Sequence, residues 1–269
     1  MLYGCCTNLL PREPGSIGEE YFETLAKLGY DYVELPLYDL AAFSSQQLRE
    51  AEARLRQTLP VRCCNNFFPA DVRLVGWDTA PTEKVREYAK HALACAAGLG
   101  ASIAVFGSPW AKLRPQGFPP EKAFEQLTAV CRMLGEEAQG AGIMIALEPN
   151  NRTETNMINT YSEVLELIAA TGHPCVHGLQ DYFHLKKEND TAESLILGKN
   201  QLIHTHFARL EGRHYPKSES EDSYYRTYFH TLAEIGYQGG ISVEGRIENK
   251  ESFAKEAAET LKFFKNQVK

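Results

Sequence analysis

Short apolar runs alternate with longer amphipathic stretches along the whole chain. Eight runs have the length and composition of buried strands: "LYGCC" (2–6), "DYVELP" (31–36), "VRCCNNF" (61–67), "SIAVFG" (102–107), "IMIAL" (143–147), "CVHGLQ" (175–180), "LIHTHF" (202–207) and "GISVE" (240–244). Between them, "EEYFETLAKLG", "SSQQLREAEARLRQTL", "TEKVREYAKHALACAAGLG" and "PEKAFEQLTAVCRMLGEEAQGAG" place apolar residues three and four apart, the period of a helix with one buried face. Gly29, Pro60, Gly100, Gly142 and Gly172 punctuate most ends, where helix C-caps are expected. Eight strand–helix units in 269 residues predict an α/β fold, a (β/α)8 TIM barrel, as a single domain over 1–269. An open doubly wound sheet would be favoured by a Gly-x-Gly-x-x-Gly turn after the first strand, and this chain has none.

Composition narrows the class. With 43% hydrophobic residues the chain can bury a sizeable core. It lacks the run of about 18 apolar residues that spans a bilayer. The start, "MLYGCCTNLL", has no basic region followed by a long apolar segment, so a cytoplasmic protein is expected. A net charge of −7 without a lysine- or arginine-rich run argues against nucleic acid as a partner. Seven cysteines include the adjacent pairs Cys5–Cys6 and Cys63–Cys64, whose side chains point to opposite faces of a strand. Without a CxxC spacing they read as reduced, mostly buried thiols.

A barrel brings the C-terminal ends of its strands to one mouth. Glu148 ends strand five, Asp181 ends strand six, His204 and His206 lie on strand seven, and Glu244 ends strand eight. Neighbouring strands are about 4.8 Å apart, so these side chains reach one point. Taken singly, Glu148 can be a cap or ion-pair partner, Asp181 a turn cap, and one of the two histidines a hydrogen-bonded core residue. Taken together, three carboxylates are costly to desolvate in one mouth unless a cation neutralises them. The set predicts one divalent metal with three oxygen ligands and one imidazole nitrogen. Its hard, oxygen-rich character suits Mn²⁺ or Mg²⁺, while Co²⁺ and Zn²⁺ also bind such donors.

At these positions the chain resembles the D-tagatose 3-epimerase and D-psicose 3-epimerase family, within the xylose-isomerase-like barrels. The resemblance lies in "LEPNNRTETNMINT" (147–160), "DYFHL" (181–185), "HTHF" (204–207) and "VE" (243–244). It implies Glu148, Asp181, His206 and Glu244 as metal ligands, with Mn²⁺ favoured. It implies that Glu154, His184 and Arg213 hold the substrate's hydroxyl and carbonyl end. A homodimer or homotetramer is also implied, and the partner is a small sugar. The chain departs from the family in the "ARLEGRHYP" loop after strand seven, which carries Arg213, and in its first half at "CCTNLL" and "CCNNFFPAD", where the departures bear on the sugar's distal end.

The chemistry expected of such a site is inversion at C3 of a ketose. The metal polarises the C2 carbonyl. Glu148 and Glu244, from different strands, then act as the catalytic pair, one removing the C3 proton and the other returning a proton to the opposite face of the enediolate. Trp110 follows strand four and is expected to line the sugar pocket, with Phe67 and Phe68 as an apolar wall. Trp77 reads as loop packing, His91 and His230 as surface or packing residues on helices, and His177 as an interior barrel residue.

Three other readings stand beside this one. A hydroxypyruvate isomerase or inosose dehydratase would share the metal set. An endonuclease-IV-like enzyme would need more metal ligands and a basic groove. A sugar-binding barrel without turnover would keep the metal and do no chemistry. Arg209, Arg213, His214 and Lys217 in the loop after strand seven raise a further alternative, a phosphate or carboxylate site. The acidic run "ESED" (219–222) and the absence of a Gly-rich cradle favour a neutral ketose.

Overall fold

The apolar runs form eight parallel strands closed into a barrel in strict chain order, β1 through β8. In this computed structural model, which describes residues 1–78 and 82–267, the strands are β1 Leu2–Cys6, β2 Tyr32–Pro36, β3 Val61–Asn65, β4 Ile103–Phe106, β5 Met144–Leu147, β6 Val176–Asp181, β7 Leu202–Phe207 and β8 Gly240–Val243. Each expected strand is present, shortened by no more than two residues at an end, apart from β6, which gains Asp181.

The helices follow the periodic stretches. They are α1 Phe22–Leu28, α2 Leu37–Leu40, α3 Ser45–Arg56, α4 Glu83–Gly98, α5 Pro120–Ala141, α6 Tyr161–Thr171, α7 Tyr182–Lys187, α8 Glu193–Leu197, α9 Tyr225–Glu234 and α10 Phe253–Gln267. Local chemistry sets their ends. Ser44 with Gln47 and Thr160 with Glu163 form capping boxes that satisfy the first backbone donors of α3 and α6. Gly29, Gly142 and Gly172 close α1, α5 and α6 in the left-handed conformation that a Cβ disfavours.

Two apolar regions result. The larger lies between the strands and the helices. The smaller lies inside the barrel and is made of Tyr32, Cys63, Ile103, Val105, Ala146 and Leu179. Tyr32 enters that interior because Gly4 and Gly240 carry no Cβ, which would overlap its ring. His177 takes the same strand parity as Leu179 and pairs with Gln201 at 3.1 Å, half-buried. All seven cysteines are free, and all but Cys175 are buried.

Strand β7 carries the histidine of the site on its inner side and is braced on its outer side by aromatic rings. Phe207 stacks on Tyr182 with centroids 4.4 Å apart and meets Tyr225, Phe229 and Phe264 at 5.1, 5.3 and 5.6 Å. Such pairs add about 0.5–1.5 kcal/mol each beyond simple burial. Phe207→Ala is therefore expected to lower unfolding free energy by about 3–5 kcal/mol in urea denaturation. A loss below about 1 kcal/mol would show that this cluster does not brace the strand.

Candidate metal centre and active site

Four successive strands, β5 to β8, deliver the ligand set. Glu148 stands one residue beyond β5, its N–H bonded to Phe106 O at 3.2 Å, and Glu244 one residue beyond β8, its N–H bonded to Phe207 O at 3.1 Å. Asp181 is the last residue of β6 and pairs in register with His206 on β7. One ligand atom from each of Glu148, Asp181, His206 and Glu244 lies within 4.8 Å of every other, and all four residues are buried. The expected set therefore converges without exception.

Each carboxylate is held by a different device. Gly107 leaves the space that the Glu148 carboxylate occupies, since a Cβ there would overlap Oε2. Lys112, wholly buried, donates Nζ–H to the Glu148 main-chain carbonyl at 2.7 Å. Asp181 divides its oxygens: Oδ1 accepts the Phe183 N–H at 2.8 Å and caps α7, while Oδ2 faces the site. The capping reading of this residue is met by Oδ1, and Oδ2 stands among the candidate ligand atoms, 3.2 Å from Arg213 Nη2. Glu244 Oε1 accepts from Asn8 Nδ2 at 2.8 Å and Asn65 Nδ2 at 3.3 Å, and Oε2 from Arg213 Nη2 at 2.5 Å.

His206 is the imidazole of the set. Its Nδ1 stands 3.0 Å from Glu148 Oε1 and 3.4 Å from Glu244 Oε2, and its Nε2 stands 2.8 Å from Glu34 Oε1. His204, one inward position below, is the core histidine of the pair, with Nε2 2.8 Å from Glu34 Oε2.

The electrostatics show what the cluster lacks. Burial raises Glu148 above the usual carboxylate range, and the opposite charge of His206 only partly offsets it. Burial pushes Asp181 up to about 7 against the pull of Arg213. Burial also works to raise Glu244, but Arg213 and His206 outweigh it and hold this carboxyl near 2. One guanidinium and one imidazole thus fail to neutralise three carboxylates. The three oxygen donors and one nitrogen donor, all desolvated, fit a divalent cation.

The residues expected to touch substrate surround a cavity of about 360 Å³ above this set. Glu154, His184, Arg213 and Trp110 all line it, with Trp110 half exposed at the rim. The Asn151 N–H donates to His184 Nδ1 at 3.1 Å, so the proton of this ring is on Nε2. Burial, aided by the nearby Arg213, holds His184 well below its ordinary pKa and therefore neutral. Glu154 accepts from Asn151 Nδ2 at 3.0 Å and faces Arg213 Nη1 at 3.7 Å. The Arg213 guanidinium lies 4.7 Å over the Phe183 ring. Phe68 forms part of the wall, while Phe67 is buried behind it. Trp77 lies outside this cavity, edge-on to Phe118 at 4.9 Å. Asn66, Ser108 and Arg213 also line the cavity, and each holds a left-handed backbone, φ 51°, 36° and 52°, a conformation costly for residues with a Cβ.

Two features of the loop and walls refine the expectations. The cations after β7 do not gather: Arg209 pairs with Glu221 at 3.5 Å, Lys217 with Glu256 at 3.2 Å, and Arg213 turns into the carboxylates. Glu34, Asn8, Asn65 and Lys112 were absent from the expected site. Glu34 was discoverable, because it is a lone carboxylate near the end of an otherwise apolar strand. The two amides and the loop lysine carry no such signal.

A model of the xylose isomerase-like TIM barrel family matches residues 22–267. The 3-dehydro-D-guloside 4-epimerase of Escherichia coli (strain K12) is 28% identical over 240 residues, which is 85% of this chain and 87% of that protein. The L-ribulose 3-epimerase of Methylomonas sp. (strain DH-1) is 27% identical over 224 residues, 81% of this chain and 75% of that protein. Among solved structures, the D-psicose 3-epimerase of Clostridium cellulolyticum H10 with D-tagatose superposes with a TM-score of 0.87 over 100% of both chains at 19% identity, a likeness of fold.

If the four side chains form one ion site, wild-type protein loaded with Mn²⁺ and desalted should retain about one ion per chain by elemental analysis, and Asp181→Asn should lose most of it. Equal retention in both proteins would remove Asp181 from the set.

Proposed function

We propose, because the chain belongs to the xylose isomerase-like TIM barrel family, that it is a divalent-metal-dependent isomerase inverting C3 of a ketose through an enediolate. One observation carries this reading. Glu148 and Glu244 stand on strands that are not neighbours, and both carboxylates reach the same imidazole nitrogen, His206 Nδ1. A proton removed from one face of a carbon between them can be returned at the other.

A divalent cation, Mn²⁺ first on this donor set, supplies Lewis-acid polarisation of the carbonyl and so acidifies the neighbouring C–H. The protein's own groups do the rest. One glutamate takes the C3 proton and the other delivers a proton to the opposite face, each contributing about 10²–10⁴-fold. His184, neutral with its proton on Nε2, donates a hydrogen bond to a substrate oxygen. Arg213 and Glu154 hold neighbouring hydroxyls, and Trp110 and Phe68 cover the apolar C–H face. Pairing of Arg209 and Lys217 with glutamates favours a neutral sugar over a phosphorylated one. Free and mostly buried thiols suit a reducing compartment such as the cytoplasm. The reading extends to a homodimer or homotetramer.

The Escherichia coli relative favours a second reading, C4 inversion of a 3-keto sugar, which uses the same carbonyl–carbinol unit one carbon along. Proton exchange separates the two. With Mn²⁺ in deuterated water, NMR should show deuterium entering C3 of a free ketohexose or ketopentose. Deuterium at C4 of a 3-keto glycoside instead would establish the second reading. Binding without exchange in any of these sugars would mark a non-catalytic barrel.

The two-glutamate mechanism makes a separate demand. Glu148→Gln and Glu244→Gln should each lose about 10³-fold or more in turnover, because each removes both a ligand and a proton-transfer group. A Glu244→Gln variant that epimerises at near wild-type rate would refute it.

A further inference from the structure

We propose that Glu34 is the positioning residue of the metal centre: by accepting the Nε2 proton of His206, it reserves Nδ1 of that ring for the cation. The inference rests on the metal reading above.

Glu34 is fully buried on β2, and its two oxygens serve two imidazoles. Oε1 lies 2.8 Å from His206 Nε2 and Oε2 lies 2.8 Å from His204 Nε2. Ser242 Oγ donates to Oε2 at 2.7 Å, and the Tyr32 hydroxyl stands 2.9 Å from Ser242 Oγ. Since Ser242 spends its proton on the carboxylate, Tyr32 is the donor in that last contact. The carboxylate is thus pinned from three sides and has no solvent to turn towards.

A ring nitrogen binds a cation only through a free lone pair, so His206 must give up its positive charge when the ion is held, and a neutral imidazole has one N–H and one lone pair. With the proton on Nδ1, the His206 lone pair would face an anionic oxygen at 2.8 Å, and an N–H would face the cation. Glu34 makes that tautomer unfavourable. His204 completes the clamp rather than joining the site. Its Nδ1 has no hydrogen-bond partner among the described residues, so a lone pair there is less costly than an N–H, which again leaves the proton on Nε2 towards Glu34.

Glu34→Gln keeps the volume but replaces one acceptor oxygen with an NH₂ that must face an imidazole N–H. Mn²⁺ affinity, measured by competition with a chromophoric chelator, should fall by about 10–100-fold. Circular dichroism and thermal melting establish that the variant is folded. A lower melting temperature with Mn²⁺ affinity within about twofold of wild type would overturn the proposal and leave Glu34 a structural residue. If the variant does not fold, ¹⁵N NMR of Mg²⁺-loaded wild-type protein with labelled histidine decides: a proton on Nε2 of His206 supports the proposal, and a proton on Nδ1 overturns it. These readouts do not use turnover, so loss of the epimerase reading leaves them intact. Wild-type protein that binds no Mn²⁺ would overturn the metal reading and this inference together.

Discussion

Four buried carboxylates gathered around one imidazole impose the main constraint on this molecule. Glu34, Glu148, Asp181 and Glu244 are each 6% exposed or less. Stripping water from an ionised carboxylate costs several kcal/mol even after relaxation. The surrounding elements are arranged to meet that cost with directed donors. Asn8 reaches Glu244 from the loop after β1 and Asn65 from the end of β3, Lys112 fixes the Glu148 main chain from the loop after β4, and the first turn of α7 serves Asp181. Arg213 supplies a formal positive charge beside Asp181 and Glu244, and its strained backbone is the local cost of placing it there.

The fold was legible because barrel strands are buried on both faces and therefore read as short continuous apolar runs. The ligand set was legible because a charge at the end of such a run is conspicuous, and the barrel turns four such ends into neighbours. What escaped notice depends on contacts between positions far apart in sequence. Glu34 and His206 are separated by 172 positions, and nothing within "DYVELP" announces the partner. Asn8 and Asn65 carry no charge, so their role appears only once β1, β3 and β8 are seen to share a mouth.

Asp181 and the histidine pair show why competing local readings need not exclude each other. A carboxylate has two oxygens, and Asp181 uses one for a helix start and presents the other to the site. His204 and His206 share a strand face, yet depth separates their roles. The upper ring meets the acids of the mouth, and the lower one anchors the acid that orients its neighbour.

The division of the cavity between the two halves of the barrel has an evolutionary consequence. The metal set comes wholly from β5–β8, whereas Asn8, Tyr38, Asn66, Phe68 and Trp110, which shape the far wall, come from segments that follow β1–β4. Recognition can therefore drift while the chemistry stays fixed, except where Glu34, Asn8, Asn65 and Lys112 cross from the first half to steady the second. Those four positions mark the limit of modularity. A chimera that exchanged the first four units between relatives would inherit a new specificity only if it carried these tethers with it.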